Sequence, residues 1–158
     1  METAVTITDQ DIVKEDPKTL VSPKNPTLIP IVSNIDQTLL FPVGSVFFYE
    51  VTTGSIVLDV AERVKKSVSD VLLVPYYFMA GRLKFNGEAS WFELVCNSAG
   101  VLFVSAISRL SLKDLGDLRH PNQLFPHLIL RTSRSKDDIT KTPRFTVQAI
   151  LTISHSWI

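Results

Sequence analysis

Residues 56–83 read IVLDVAERVKKSVSDVLLVPYYFMAGRL, and two patterns inside them decide the fold class. Val57, Val60, Ala61, Val64, Val68, Val71 and Leu72 recur at steps of three and four, which is one stripe of an α-helix. Glu62, Arg63, Lys65, Lys66 and Ser69 take the other side. Valine is a mediocre helix former, so this stripe predicts a helix held by tertiary packing rather than by propensity. Pro75 helps to end it. Ala80 and Gly81 then place two small residues where the chain turns closely from a helix end into a strand, and Arg82 is positioned to cap or pair beneath that turn.

Downstream, three β-like runs follow at residues 82–85, 91–96 and 101–107. Asn86-Gly87 is a turn signal between the first two, and Ser98-Ala99-Gly100 stands between the second and third, so the expectation is a meander. Residues 110–118 suit one or two helical turns, led by Ser111 with Asp114 three positions on. A proline-punctuated loop at 120–126, an apolar run at 128–130 and a polar loop at 131–141 lead to a final strand at 145–153. Upstream, SVFFYEV at 45–51 follows Pro42 and Gly44. It shows no polar alternation, so a strand buried on both faces is expected. Pro17, Pro23, Pro26 and Pro30 predict an extended loop over 14–30. Residues 31–37 form a compact polar–apolar segment, and 5–7 a short strand. The order of elements is that of an α/β unit, a mixed sheet with packed helices.

Composition narrows the function classes. Sixteen basic and sixteen acidic side chains cancel, so no cationic face is implied and nucleic acid is not an expected partner. Cys96 stands alone, which excludes an intramolecular disulfide and a cysteine-based zinc cage. The first residues, METAVTITD, carry neither a basic start nor an apolar run, so no secretory signal is read there. The longest apolar stretch, around 71–80, is too short to span a bilayer. A cytoplasmic protein is the expectation, with no membrane partner.

Four segments, in order, carry a family resemblance: SNIDQ at 33–37, VPYYFMAGRL at 74–83, CNSAGVLFVSA at 96–106 and FTVQAI at 145–150. Together they resemble the BAHD acyl-CoA-dependent acyltransferases, of the plant hydroxycinnamoyl and omega-hydroxyacid type. The family usually reads Tyr-Pro-Leu-Ala-Gly-Arg-Leu where this chain has Tyr77, Phe78 and Met79 before Ala80. Both replacements are apolar, so packing is kept while a rigid turn residue is lost. The resemblance implies one half of a chloramphenicol-acetyltransferase-like two-domain fold, with residues 1–150 as a truncated N-terminal transferase domain and 151–158 as a divergent tail. It implies transfer of an acyl group from acyl-CoA to an alcohol or amine in plant specialised metabolism, with acyl-CoA as co-substrate and no tightly bound cofactor.

The same resemblance sets what is missing. The family's general base is the histidine of an H-x-x-x-D-G motif, and a D-F-G-W-G motif shapes its far half; neither is present here. A general base needs reach to the attacking hydroxyl and a pKa near the working pH. His155 comes too early and has no aspartate four residues on. His120 and His127 sit in a loop beside prolines without metal-ligand spacing. Cys96, at the end of an apolar run, reads as a small buried hydrophobe rather than a nucleophile. No catalytic, cofactor-binding or metal residue is therefore assigned. By position in the family, Ser45 and Phe47 would face the acyl and acceptor pocket, with Phe47 as plain core the alternative. The chain alone is expected to be inactive. The competing reading is a non-catalytic fragment that binds a full-length relative through the exposed missing-half interface.

Overall fold

The computed structural model describes residues 8, 10–20, 27–29, 43–49, 58–120, 123–130 and 139–152. The expectations for residues 5–7 and 31–37, and for His155, lie outside these. Among the described residues seven strands form two sheets: β1 (Ile12–Lys14), β2 (Lys18–Leu20), β3 (Thr27–Ile29), β4 (Arg82–Asn86), β5 (Trp91–Cys96), β6 (Val101–Ser108) and β7 (Thr146–Thr152). One helix of length, α1 (Leu58–Ser67), and a single turn, α2 (Phe125–Leu128), accompany them.

The principal sheet is built around β6. Antiparallel β1 and β2 line one edge of β6, and β7 runs parallel along the other, from Leu102↔Thr146 to Ser108↔Thr152. Both faces of β6 are covered, which accounts for its near-continuous apolar run. On one face Leu20, Val101, Phe103, Val147 and Ala149 meet Val64, Val68, Leu72 and Leu73 of the helical segment. On the other, Ala106 and Ile150 meet Ile12, Leu115, Leu128, Val46 and Phe48. The architecture is mixed α/β, as expected, with few helices and mostly antiparallel pairing.

β2 and β3 fall inside the stretch expected to be loop, 14–30, and β1 enters it with Lys14, its last residue. Each is only three residues long, too short for a periodic signal. Three residues, 15–17, lie between the paired segments of this edge where β6 has two, 104 and 105. The extra residue accommodates Pro17, which has no amide to give to a ladder. Lys14, Glu15, Asp16 and Lys18 on this edge are exposed, a charge pattern that discourages further strand pairing.

The expected meander is also corrected. β4 and β5 do form an antiparallel hairpin, closed by Asn86 Oδ1 accepting from the amides of Glu88 and Ala89. β5, however, pairs with β3 on its other side, and β6 belongs to the principal sheet. Residues 97–100 therefore switch sheets rather than close a hairpin. Ser98 at φ 52° and Gly100 at φ 91° provide the left-handed backbone for that switch, a conformation in which glycine carries no Cβ penalty.

The helix bears out its stripe from Val60 to Val68; Val57 lies outside the described residues. Residues Val68–Leu72 then widen into a π-helical turn, with the Leu73 amide donating to the Val68 carbonyl at 2.9 Å. That i→i+5 step rotates the following residues relative to a straight helix. Val71, expected on the core stripe, is 70 % exposed, while Leu73 is 0 % exposed. The substitution Val71→Ala is accordingly expected to change unfolding free energy by no more than about 0.5 kcal/mol, the range of an exposed site. A straight helix would put Val71 in the core and make the loss in a urea titration several times larger.

Candidate functional site

The Ala80–Arg82 corner is the best-defined polar feature of the described residues. Residues Tyr77–Ala80 form a 3-10 turn that ends at Gly81, whose backbone is extended. A Cβ on Gly81 would lie 2.7 Å from the Val95 carbonyl oxygen, so the close approach anticipated for this pair is real. Arg82 is buried at the start of β4. Its Nη1 donates to the carbonyls of Gly100 at 2.8 Å and Gly81 at 2.9 Å, with Ala80 at 3.5 Å, and its Nη2 donates to Ala99 at 3.1 Å. Burial pushes its pKa down, yet a guanidinium stays charged in a protein. It caps the carbonyls of the sheet-switch loop. Its task is structural, and sequence reasoning anticipated capping but not the partner loop.

Residues 43–49 carry the two positions assigned to substrate. No strand forms over these residues, and the expected burial on both faces is corrected to alternation. Val46 and Phe48 turn inward to the cluster of Ile12, Ala106, Leu115 and Leu128, where the Phe48 and Phe125 rings lie 5.5 Å apart at an interplanar angle of 50°. Ser45, Phe47 and Tyr49 turn outward; Phe47 is 74 % and Tyr49 79 % exposed. Phe47 is therefore not packed into the core of the described residues. An all-apolar run does not reveal which side is covered; only the presence of packing partners decides it.

The groups able to carry chemistry are dispersed. His120 is exposed, with Nδ1 3.3 Å from Asp117 Oδ2. The Arg119 guanidinium on the same carboxylate, with the Arg119 amide and His120, lowers the Asp117 pKa to about 2. This carboxylate is thus committed to a surface ion pair rather than to orienting an imidazole in a cleft. His127 is exposed on α2. Cys96 is 2 % exposed, and burial pushes its thiol up, which keeps it protonated and poorly nucleophilic. Ser111 and Asp114 form the capping box expected of them, over Leu112–Leu115. Among the described residues no cluster of three or more histidine, cysteine or acidic side chains could hold a metal, and no helix is long and apolar enough to cross a membrane.

A mixed α/β unit with a helix across one sheet face and an aromatic segment across the other defines a structural class but no chemistry. Comparison with known proteins supplies the family. The model of the family described as "Transferase family" matches residues 3–151. The chain is 37 % identical over 109 residues to Acyltransferase GLAUCE of Arabidopsis thaliana, covering 68 % of this chain and 24 % of the relative. It is 36 % identical over 129 residues to Anthranilate N-benzoyltransferase protein 1 of Dianthus caryophyllus, covering 74 % and 28 %. It is 33 % identical over 133 residues to Hydroxycinnamoyltransferase of Narcissus pseudonarcissus, covering 82 % and 30 %. The chain belongs to this transferase family, the BAHD acyltransferases. It spans roughly a quarter of the length of the relatives it matches.

Proposed function

We propose that this chain supplies one half of a chloramphenicol-acetyltransferase-like enzyme that moves an acyl group from a coenzyme A thioester to an alcohol or amine. The family match over residues 3–151 carries the reading. Relatives named for benzoyl and hydroxycinnamoyl transfer support an aromatic acyl group. In this reading Ser45 and Phe47 form part of the wall of the acyl and acceptor pocket, with Ser45 offering a hydroxyl and Phe47 a ring face. Both stand on the outward side of the 43–49 segment, accessible to a substrate. Acyl-CoA acts as co-substrate, and the reaction takes place in the cytoplasm.

These 158 residues by themselves are proposed not to turn over. No histidine in them is followed at the fourth position by aspartate, and the described histidines lie on the surface without an orienting group in a cleft. The test is incubation of the purified 158-residue polypeptide with benzoyl-CoA and hydroxycinnamoyl-CoA donors and with alcohol or amine acceptors. Thiol release is expected to equal that of a heat-killed control. Turnover above that control would overturn the inactivity.

A further inference from the structure

We propose that Gln148 is a positioning residue for the segment that carries Ser45 and Phe47, acting through α2. The proposal rests on the reading of those two residues as pocket wall. Gln148 sits on β7 opposite Val104 of β6, on the sheet face that Ala106 and Ile150 make apolar. There its Nε2 donates to the Leu128 carbonyl at 2.9 Å, twenty residues away in sequence. α2 is thereby tied to the sheet at its last residue. Phe125, at the first residue of α2, contacts the Phe48 ring. Phe48 alternates with Phe47 along the segment, so the height of α2 above the sheet sets how far Ser45, Phe47 and Tyr49 stand out.

The energetics argue that this amide is not simply a stabilising group. Gln148 Oε1 is buried and without a hydrogen-bond partner among the described residues. One neutral hydrogen bond contributes no more net stability than an orphaned buried oxygen removes. The amide cannot flip to relieve the orphan without giving up its donor to Leu128. An aliphatic side chain of the same length would fill the space without the orphan. The amide adds direction, because a hydrogen bond fixes one donor against one carbonyl where apolar packing does not.

The test uses the whole chain with its phenylalanines replaced by 4-fluorophenylalanine. The nine ring signals are read by fluorine NMR, with Phe48 and Phe125 assigned by Phe48→Leu and Phe125→Leu. Gln148→Met, which keeps the length and loses the donor, is expected to shift or broaden the Phe48 and Phe125 signals. Phe85 and Phe92, which pair in the other sheet, are expected to stay in place, and the urea midpoint to remain unchanged. Unmoved Phe48 and Phe125 signals would overturn the proposal. So would a general change of all nine signals with a lowered midpoint, or failure of Gln148→Met to fold, since each makes Gln148 an ordinary stabilising residue. Phe125→Leu provides a second check: it is expected to move Phe48 alone among the signals that remain, and an unmoved Phe48 would break the link through α2. Neither readout requires turnover, so failure here leaves the proposed activity standing, and failure of that activity leaves this coupling standing.

Discussion

Arg82→Ala is expected to lower the unfolding free energy by about 3 kcal/mol, out of the roughly 5–15 kcal/mol a native domain has. The guanidinium serves carbonyls from two places in the chain: Gly81 at the corner before β4, and Ala99 and Gly100 in the loop that leaves β5. The Ala80 oxygen keeps the Gly100 amide as a donor at 3.0 Å, so it is not orphaned by the change. The Gly81, Ala99 and Gly100 oxygens lose charge-assisted bonds in a buried place. Part of that cost is offset because no charge then has to be desolvated. Arg82→Lys keeps a charge but replaces a planar fork with a point donor that cannot span two segments, so a loss of about half as much is expected. Urea titration of the three proteins checks this. If lysine proves equivalent to arginine, the fork geometry is irrelevant; if alanine costs under 1 kcal/mol, the corner is held by packing alone.

Gly100→Ala is expected to be at least as damaging, about 3 kcal/mol or more, for a different reason. Its φ of 91° strains any residue with a Cβ, and the added Cβ would lie 2.8 Å from the Leu20 carbonyl oxygen and 2.3 Å from Thr19 Cγ2. Thr19 is exposed and has room to rotate; the Leu20 oxygen is backbone of β2, held in register opposite Val101. Relief therefore requires β2 to move off β6. Two other glycines separate the contributions. Gly116 has φ 74° and ψ −145° with nothing near its hypothetical Cβ, so Gly116→Ala should show the strain alone, about 1–3 kcal/mol. Gly87 has neither strain nor neighbours, so Gly87→Ala should lie within about 0.5 kcal/mol of the parent. The order Gly100 > Gly116 > Gly87 in urea-midpoint loss is the expected result. Equal losses at Gly100 and Gly116 would mean that β2 yields without cost. Adding Thr19→Ser to Gly100→Ala should recover little, because the carbonyl remains.

Both substitutions act on the same feature, the passage of the chain from one sheet to the other at residues 97–100. The residues that build it were visible in the sequence. Arg82 read as a cap, Ala80 and Gly81 as a close turn, and Ser98-Ala99-Gly100 as a turn. Which strand β6 would join was not visible. A glycine turn between two apolar runs serves a hairpin and a sheet switch equally well, and the difference rests on whether β3 or β6 takes the free edge of β5. That outcome is set by long-range pairing, which leaves no local periodicity.

The 43–49 segment shows the same boundary at the candidate site. Its aromatic and β-branched composition marked it as extended and apolar, and family position singled out Ser45 and Phe47. Its inward residues, Val46 and Phe48, became distinguishable only once α2 and Ile150 were seen beneath them. Gln148 stood within the FTVQAI segment but gave no sign of a role there, because a glutamine on an apolar face looks like an exception until the carbonyl it reaches is known.

The sequence by itself determined the local elements and the family: the helix from its stripe, the strands of residues 82–108 and 146–152 from their runs, the capping box, and the transferase resemblance from four ordered motifs. Tertiary structure alone decided which strands pair, where the helix stripe breaks at the π-helical turn, and which side of an all-apolar segment is covered. The division is physical. Periodicity and turn chemistry act between residues a few positions apart and are written into neighbouring side chains. Pairing and burial depend on partners tens of residues away, whose positions follow from the whole fold.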